Sequence, residues 1–384
     1  MVGGLKAICA ATAVALLAGC AYMNPFTWFE DNRPKMAPLP ELTSSLAVRT
    51  LWQASVGGAG EAAFSPAVVQ NSVFAAARDG TVVRLDASNG RALWRANVGQ
   101  PLSAGVGASA ALVAVGTPEG EVIALDAADG KVRWRARVSS EVLAAPLVTD
   151  DAVIARCSDG RVFSLDAADG RRRWVYQRAI PTLTVRSTAG LAIRGQTAYA
   201  GFPGGRLAAI ALNNGGVRWE GTVALPRGST ELERVADVVG VPWVAEREVC
   251  AVAYQGRVAC LDGNTGQPLW ARAMSSISGL GVDARYVFVS DDRDAVHALD
   301  RSNGTSVWKQ DGLSRRKLTA PLALGREIAV ADAEGYVHFL SRENGQLIGR
   351  VATDGSAVAG PMKPFPGGLL VQTRNGNVYA LGTQ

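Results

Sequence analysis

The chain repeats itself, and the repeat limits what it can fold into. Asp79-Gly80 is followed by Leu85-Asp86, Asn89-Gly90 and Trp94. The same punctuation returns at Glu119-Gly120, Leu125-Asp126, Asp129-Gly130 and Trp134, and again at Asp159-Gly160, Leu165-Asp166, Asp169-Gly170 and Trp174. In these three copies, fourteen residues separate the first Gly from the Trp. Weaker copies start at Gly205, Gly256, Asp294, Gly335 and Gly376, so the starts are spaced 40, 40, 45, 51, 38, 41 and 41 residues apart. Self-similarity at this period, with four short apolar runs per unit, fits one four-stranded propeller blade per repeat.

Each unit assigns physical roles to its residues. Pro66, Pro146, Pro242 and Pro321 each stand fourteen residues ahead of the key position. They suit the opening of an innermost strand, where no ladder donor is needed. The Asp-Gly and Asn-Gly pairs turn hairpins whose central residues need positive φ. The Trp has the area to fill the wedge between splayed blades. The eighth unit ends at Leu381 without a Trp strand, whereas Thr50-Leu51-Trp52 matches Ala92-Leu93-Trp94. The expected fold is therefore all-β: an eight-bladed propeller over residues 48–384, closed by the N-terminal strand pairing in the last blade near Val378. Closure removes the open edges of a linear array. The units resemble the quinoprotein (PQQ-like) repeat, Gly-x-hydrophobic-x-Ala-Leu-Asp-x-x-x-Gly-x-x-x-Trp, and the Gly-His and Trp-Asp pairs of WD propellers do not recur.

The N-terminus reads as an export segment. Lys6 precedes an apolar stretch from Ala7 to Ala18, which is too short to span a bilayer. Leu16-Leu17-Ala18-Gly19-Cys20 resembles a bacterial lipobox. The resemblance implies removal of residues 1–19 and acylation of Cys20; the plainer alternative is a secreted protein in which Cys20 is incidental. With Ala21 rather than Asp after Cys20, the resemblance to bacterial lipoproteins further implies sorting to the outer membrane, with the body on the periplasmic face. Acyl chains contribute about 0.8 kcal/mol per buried CH₂, so two or three of them anchor firmly. Residues 20–47, with Pro25, Pro34, Pro38 and Pro40, are expected to form a flexible tether. Phe26, Trp28 and Phe29 within it would rest at the lipid interface or on a partner.

A net charge of +5 without a dense basic run argues against a nucleic-acid partner. Cys157, Cys250 and Cys260 remain beyond the export region. Cys250 and Cys260 fall on neighbouring strands of one hairpin, so either a disulfide or two buried thiols fits, depending on register. The repeat also raises a quinone-dependent dehydrogenase as a rival reading. No two cysteines are adjacent, as those enzymes often have, and most Asp residues fall in turns or in the Leu-Asp motif. His297 and His338, the only histidines, sit inside third strands, where a face or core position suits them better than a metal or a Ser-His relay. No enzyme, cofactor or metal site is expected. A periplasmic glycan binder is a further rival.

Two insertions point to a partner surface. Trp134 to Pro146 spans twelve residues but Trp219 to Pro242 spans twenty-three, and Trp174 to Gly205 is five longer than Trp134 to Gly160. Both lengthen connections from an outer strand to the next inner strand, which emerge on one face of the disk at adjacent blades. The first contains Pro181-Thr182-Leu183-Thr184-Val185-Arg186 and the second runs from Gly228 to Asp237. Thr230 and Glu233 form a capping box, so a short helix is expected from Glu231. Apolar residues beside charges in long loops suit protein docking; alternatively, Leu183 and Val185 merely anchor their own loop.

Lipobox, Pro-rich segment, eight repeats and these loops together resemble the assembly-factor B family, the propeller lipoproteins of the outer-membrane β-barrel assembly machinery. The resemblance implies a non-catalytic scaffold. In it Leu183, Val185, Arg186 and Asp237, with Glu231 nearby, help to dock the periplasmic polypeptide-transport-associated domains of the barrel insertase. Val239 stands where that family's pattern can carry a second acidic residue, which leaves the charge at that edge open. Unfolded outer-membrane proteins are a second expected partner, through β-augmentation.

Overall fold

The computed structural model describes residues 35–186 and 188–383. Cys20 and the export segment lie outside the described residues. The chain divides into Met1–Met36 and Ala37–Gln384, and the architecture below concerns the second unit.

Eight antiparallel sheets follow one another along the chain. Blade 1 comprises Ala67–Val69, Ser72–Ala76, Thr81–Asp86 and Ala92–Asn97, from the axis outward. Blades 2 to 7 have the same order and end on the outer strands Val132–Arg137, Arg172–Gln177, Val217–Thr222, Pro268–Ala273, Ser306–Gln310 and Leu347–Ala352. Blade 8 takes three strands from the C-terminus and its outer strand, Val48–Ser55, from the N-terminus. Ala54 pairs with Val378 and Trp52 with Ala380, as ring closure requires. Blade 2 carries an additional parallel strand, Ala63–Phe64, on its inner edge.

Burial follows from this geometry. Second strands such as Ser72–Ala76 and Ala152–Arg156 are buried at every residue because a neighbouring blade covers each face. Outer strands alternate, as in Val132–Arg137, where Trp134 is buried and its neighbours are exposed. Each outer-strand Trp locks its blade to the next. The indole N–H of Trp52 donates to Ala87 O at 2.8 Å, Trp134 to Ala167 O at 2.9 Å and Trp308 to Arg342 O at 2.8 Å. The same ring covers a turn Gly of the next blade. Gly170 has φ +74° and an added Cβ there would lie 2.6 Å from Trp134. The repeated Gly thus meets two demands, a left-handed backbone and room for the preceding blade's indole. The Asp of the Leu-Asp pair is also structural: Asp86 accepts from Ser88 N at 2.8 Å and Asp126 from Ala128 N at 2.7 Å, closing the turn.

Blade 7 has Gly349 where the others have Trp. Leu46 and Val48 fill the space, with Leu46 buried and its N–H donating to Ile348 O at 3.0 Å. The described part of the expected flexible tether is therefore bound. Ala37 N donates to Ser314 O at 3.1 Å, Arg316 Nη1 to Ala37 O at 2.8 Å and Arg350 Nη1 to Pro40 O at 3.3 Å. Prolines remove donors but leave carbonyls, and this segment offers its carbonyls to Arg350 of blade 7 and to Arg316 of the connection before it.

Two local expectations are revised. Pro242 does not open its strand. It lies within Val238–Val244, where pairing jumps from Val239 to Trp243, so that Gly240, Val241 and Pro242 bulge out of the ladder. The capping box forms without a helix. Glu233 N donates to Thr230 Oγ1 at 3.3 Å and Ser229 N to Glu233 Oε2 at 2.7 Å, but the chain makes a single turn before Ala236 and Asp237 are drawn into the body. Cys250 and Cys260 stand directly opposite each other and are joined by a disulfide, which resolves the open alternative; Cys157 is free and buried.

Candidate docking surface

The surface is assembled from three successive outer-to-inner connections. The first, between blades 2 and 3, has ordinary length and contributes Glu141. The second, between blades 3 and 4, carries Leu183, Val185 and Arg186. The third, between blades 4 and 5, carries Glu231 and ends at Asp237. Arg186 Nη2 donates to Glu141 Oε1 at 2.5 Å. Asp237 Oδ2 accepts from Val185 N at 2.6 Å, and its Oδ1 accepts from Gly204 N in the hairpin of blade 4 at 3.1 Å. One carboxylate thus pins the second connection to both blades beneath it.

Exposure separates the predicted residues by role. Leu183 is 41% exposed, and Arg186 also faces solvent, although its guanidinium is held at one end by Glu141. Val185 is half-buried. Asp237 is only 1% exposed, so it cannot be a contact residue for a docked protein. Its place is beneath the loop, orienting it. Glu231 is exposed on the third connection beside Leu232, which at 72% is the most exposed of the large hydrophobics among the described residues. The bonds that join Val185, Arg186 and Asp237 to their surroundings do not reach Glu231. Val239 is buried in its strand and does not face a docked partner.

The electrostatics follow from burial. Desolvation pushes the Asp237 carboxyl above its usual range, against the pull of the Val185 and Gly204 amides and of Arg156. Arg156 is itself buried, and burial lowers its pKa to about 10 against the opposing influence of Asp237. Its Nη1 donates to Ala189 O at 2.9 Å, while its Nε has no partner. Two depressions flank the Arg186–Glu141 pair. One, of about 510 Å³, includes Glu61, Arg78 and Ser103; the other, of about 200 Å³, includes Arg156, Val185 and Pro203. A ridge with a charged crest between two hollows suits a protein partner that brings both a carboxylate and apolar side chains.

Glu141 and Arg156 escape sequence reasoning. Neither lies in an insertion, and Arg156 reads as one more residue of a core strand. Among the described residues Glu248, Cys250 and Cys260 bring three potential ligand atoms within 4.8 Å of one another, but the sulfurs are bonded together and Glu248 pairs with Arg301 at 3.3 Å. His297 and His338 each bond an Asp six residues back, Asp291 and Asp332, at 2.9 Å, in equivalent positions of blades 6 and 7. In each blade the same Asp also accepts backbone N–H bonds of its own hairpin turn.

Comparison with known proteins agrees with the architecture. A family model described as outer membrane protein assembly factor BamB matches residues 48–101 and 78–310. The outer membrane protein assembly factor BamB of Bordetella pertussis is 44% identical over 368 residues, which cover 96% of this chain and 94% of that protein. The crystal structure of BamB from Moraxella catarrhalis superposes with a TM-score of 0.80 at 30% identity, over 88% of this chain and 100% of that one. A quinohemoprotein alcohol dehydrogenase from Comamonas testosteroni shares the fold alone, at 13% identity and a TM-score of 0.65, over 87% of this chain and 76% of that one. With the eight-bladed ring and this extent of identity, the chain belongs to the outer membrane protein assembly factor BamB family.

Proposed function

We propose that the chain is a non-catalytic scaffold of outer-membrane protein assembly that holds the periplasmic domains of the barrel insertase on the surface around Arg186. Membership of the family makes it an outer-membrane protein assembly factor. One observation carries the docking reading: Asp237 and Glu141 fasten the Leu183–Arg186 segment from either side, so its exposed side chains are presented by a rigid frame. Preorganisation of this kind lowers the entropy lost on binding. Leu183 and Leu232 supply apolar contact, and Arg186 supplies a guanidinium for a partner carboxylate. The body is held at the outer membrane on its periplasmic face by acyl chains on Cys20.

Arg186→Glu places like charge against Glu141 and removes the cation. Co-purification with the insertase from membranes is expected to fall sharply while the thermal transition of the propeller stays in place. Normal co-purification of that variant rejects the docking surface.

A further inference from the structure

Near the axis, the inner strands of blades 1 to 5 and 8 line an open-mouthed cavity of about 450 Å³. Its walls are mostly apolar or small: Ala67, Val106, Leu147, Leu191 and Val241 among them. One charged side chain lines it, that of Lys363, from the innermost strand of blade 8. The Lys363 side chain is partly buried and makes no hydrogen bond or ion pair among the described residues, while its backbone pairs with Leu370. Burial alone lowers its pKa, with no carboxylate close enough to oppose the shift.

The repeat shows how unusual this lysine is. Lys363 stands thirteen residues before Gly376, where Ala67, Leu147 and Leu322 stand before Gly80, Gly160 and Gly335, and none of the other seven blades has a charge at that position. The frame does not need a cation there. An ammonium taken from water without a counter-charge is a cost to folding, and a bound anion would relieve it.

We propose that this cavity is a binding site for a small organic monocarboxylate with an aliphatic body. The chemistry of the lining selects the class. A single cation balances one negative charge and leaves a polyanion uncompensated. Apolar walls favour a hydrocarbon body over a sugar, and a ligand amine would meet Lys363 as a like charge. The cavity adjoins the docking surface, since Ala63, Leu143 and Thr188 also line the hollow beside Arg186. The proposal does not depend on the docking reading, because its test uses the isolated protein.

The experiment is calorimetric titration of the purified chain with decanoate, and with decanol as the neutral probe. Wild-type protein is expected to bind decanoate with one site and decanol much more weakly. Lys363→Met, which keeps an unbranched side chain one atom shorter and removes the charge, is expected to lose at least about tenfold in decanoate affinity, the effect of one charge-assisted contact. Lys363→Arg restores most of it. Ala108→Phe fills the cavity from blade 2 and abolishes binding with Lys363 intact, which provides a second route should Lys363→Met fold poorly. Equal affinity of Lys363→Met and wild type, equal affinity for decanol and decanoate, or no heat from wild type overturns the proposal.

Discussion

Replacing Asp237 with Ala tests whether the docking segment is held from below. The carboxylate accepts two backbone N–H bonds, from Val185 and Gly204. A hydrogen bond to a charged group contributes about 1.5–3 kcal/mol. Against this stands the desolvation of a carboxylate at 1% exposure, a cost of several kcal/mol that Arg156 only partly offsets and that the variant no longer bears. The net loss should be about 1–3 kcal/mol, concentrated in the segment from Pro181 to Thr188 because the blade ladders are untouched. At about 1.4 kcal/mol per decade, the Val185 amide should exchange with solvent roughly tenfold to a hundredfold faster. Hydrogen–deuterium exchange resolved to this segment reads the change directly, and co-purification with the insertase should weaken in parallel. Unchanged protection of Val185 would refute the reasoning, because it would mean that the loop holds its shape without the carboxylate. A loosened loop with undiminished insertase binding would separate loop order from docking and sink the functional half.

Two further outcomes concern the frame. Leu46→Asp puts a carboxylate into the gap that Gly349 leaves in blade 7, and urea unfolding should show a loss of about 2–4 kcal/mol; wild-type stability would mean that residues 37–47 lie on the ring without supporting it. Burial holds the pKa of His338 below its usual value of 6.5 despite Asp332, so the unfolded chain takes up a proton first as pH falls. Stability should therefore be lower in buffer at about pH 5.5 than at about pH 7.5, while Asp332, whose carboxyl is held below 3.8, adds its loss only at still lower pH. His338→Gln should flatten the upper part of this slope in denaturant titrations at the two pH values, and an unchanged slope excludes the histidine as its source.

What could be read from the sequence was local or periodic. Gly170 and Trp134 recur at fixed spacing because the indole of one blade covers the turn of the next, so the constraint is stamped into every repeat. Trp52 was legible for the same reason, being the one Trp strand without a blade. The connection lengths were equally visible. The misses share another cause, since each depends on contacts between residues far apart in the chain. The Pro-rich segment reads as a spacer by composition, yet its carbonyls meet Arg316 and Arg350 about three hundred positions away. Glu141 pairs with Arg186 from a loop of ordinary length. The depth of Asp237 follows from where its strand begins, which a loop count cannot show. Pro242 looks like its counterparts Pro66, Pro146 and Pro321 and differs only because an inner strand begins four residues earlier and bulges around it.

An eightfold frame changes how function should be sought. A residue that recurs at one position of every blade is accounted for by the ring, so the Leu-Asp turns and the Trp locks carry little information about partners. The informative residues are those that the ring does not require. Gly349 lacks the Trp because the chain's own N-terminal segment takes that place. Asp237 sits at 1% exposure with no salt bridge among the described residues, and its carboxylate is spent on fastening the loop at Val185 and the hairpin at Gly204. Lys363 interrupts an otherwise uncharged position without any carboxylate to pair with it. The latter two bear on the same sector of the disk, where the axial cavity and the hollow beside Arg186 share Ala63, Leu143 and Thr188. A partner seated on Arg186 would therefore cover one side of the cavity, so occupancy of the two sites should be coupled, and by linkage each must change the affinity of the other by the same factor.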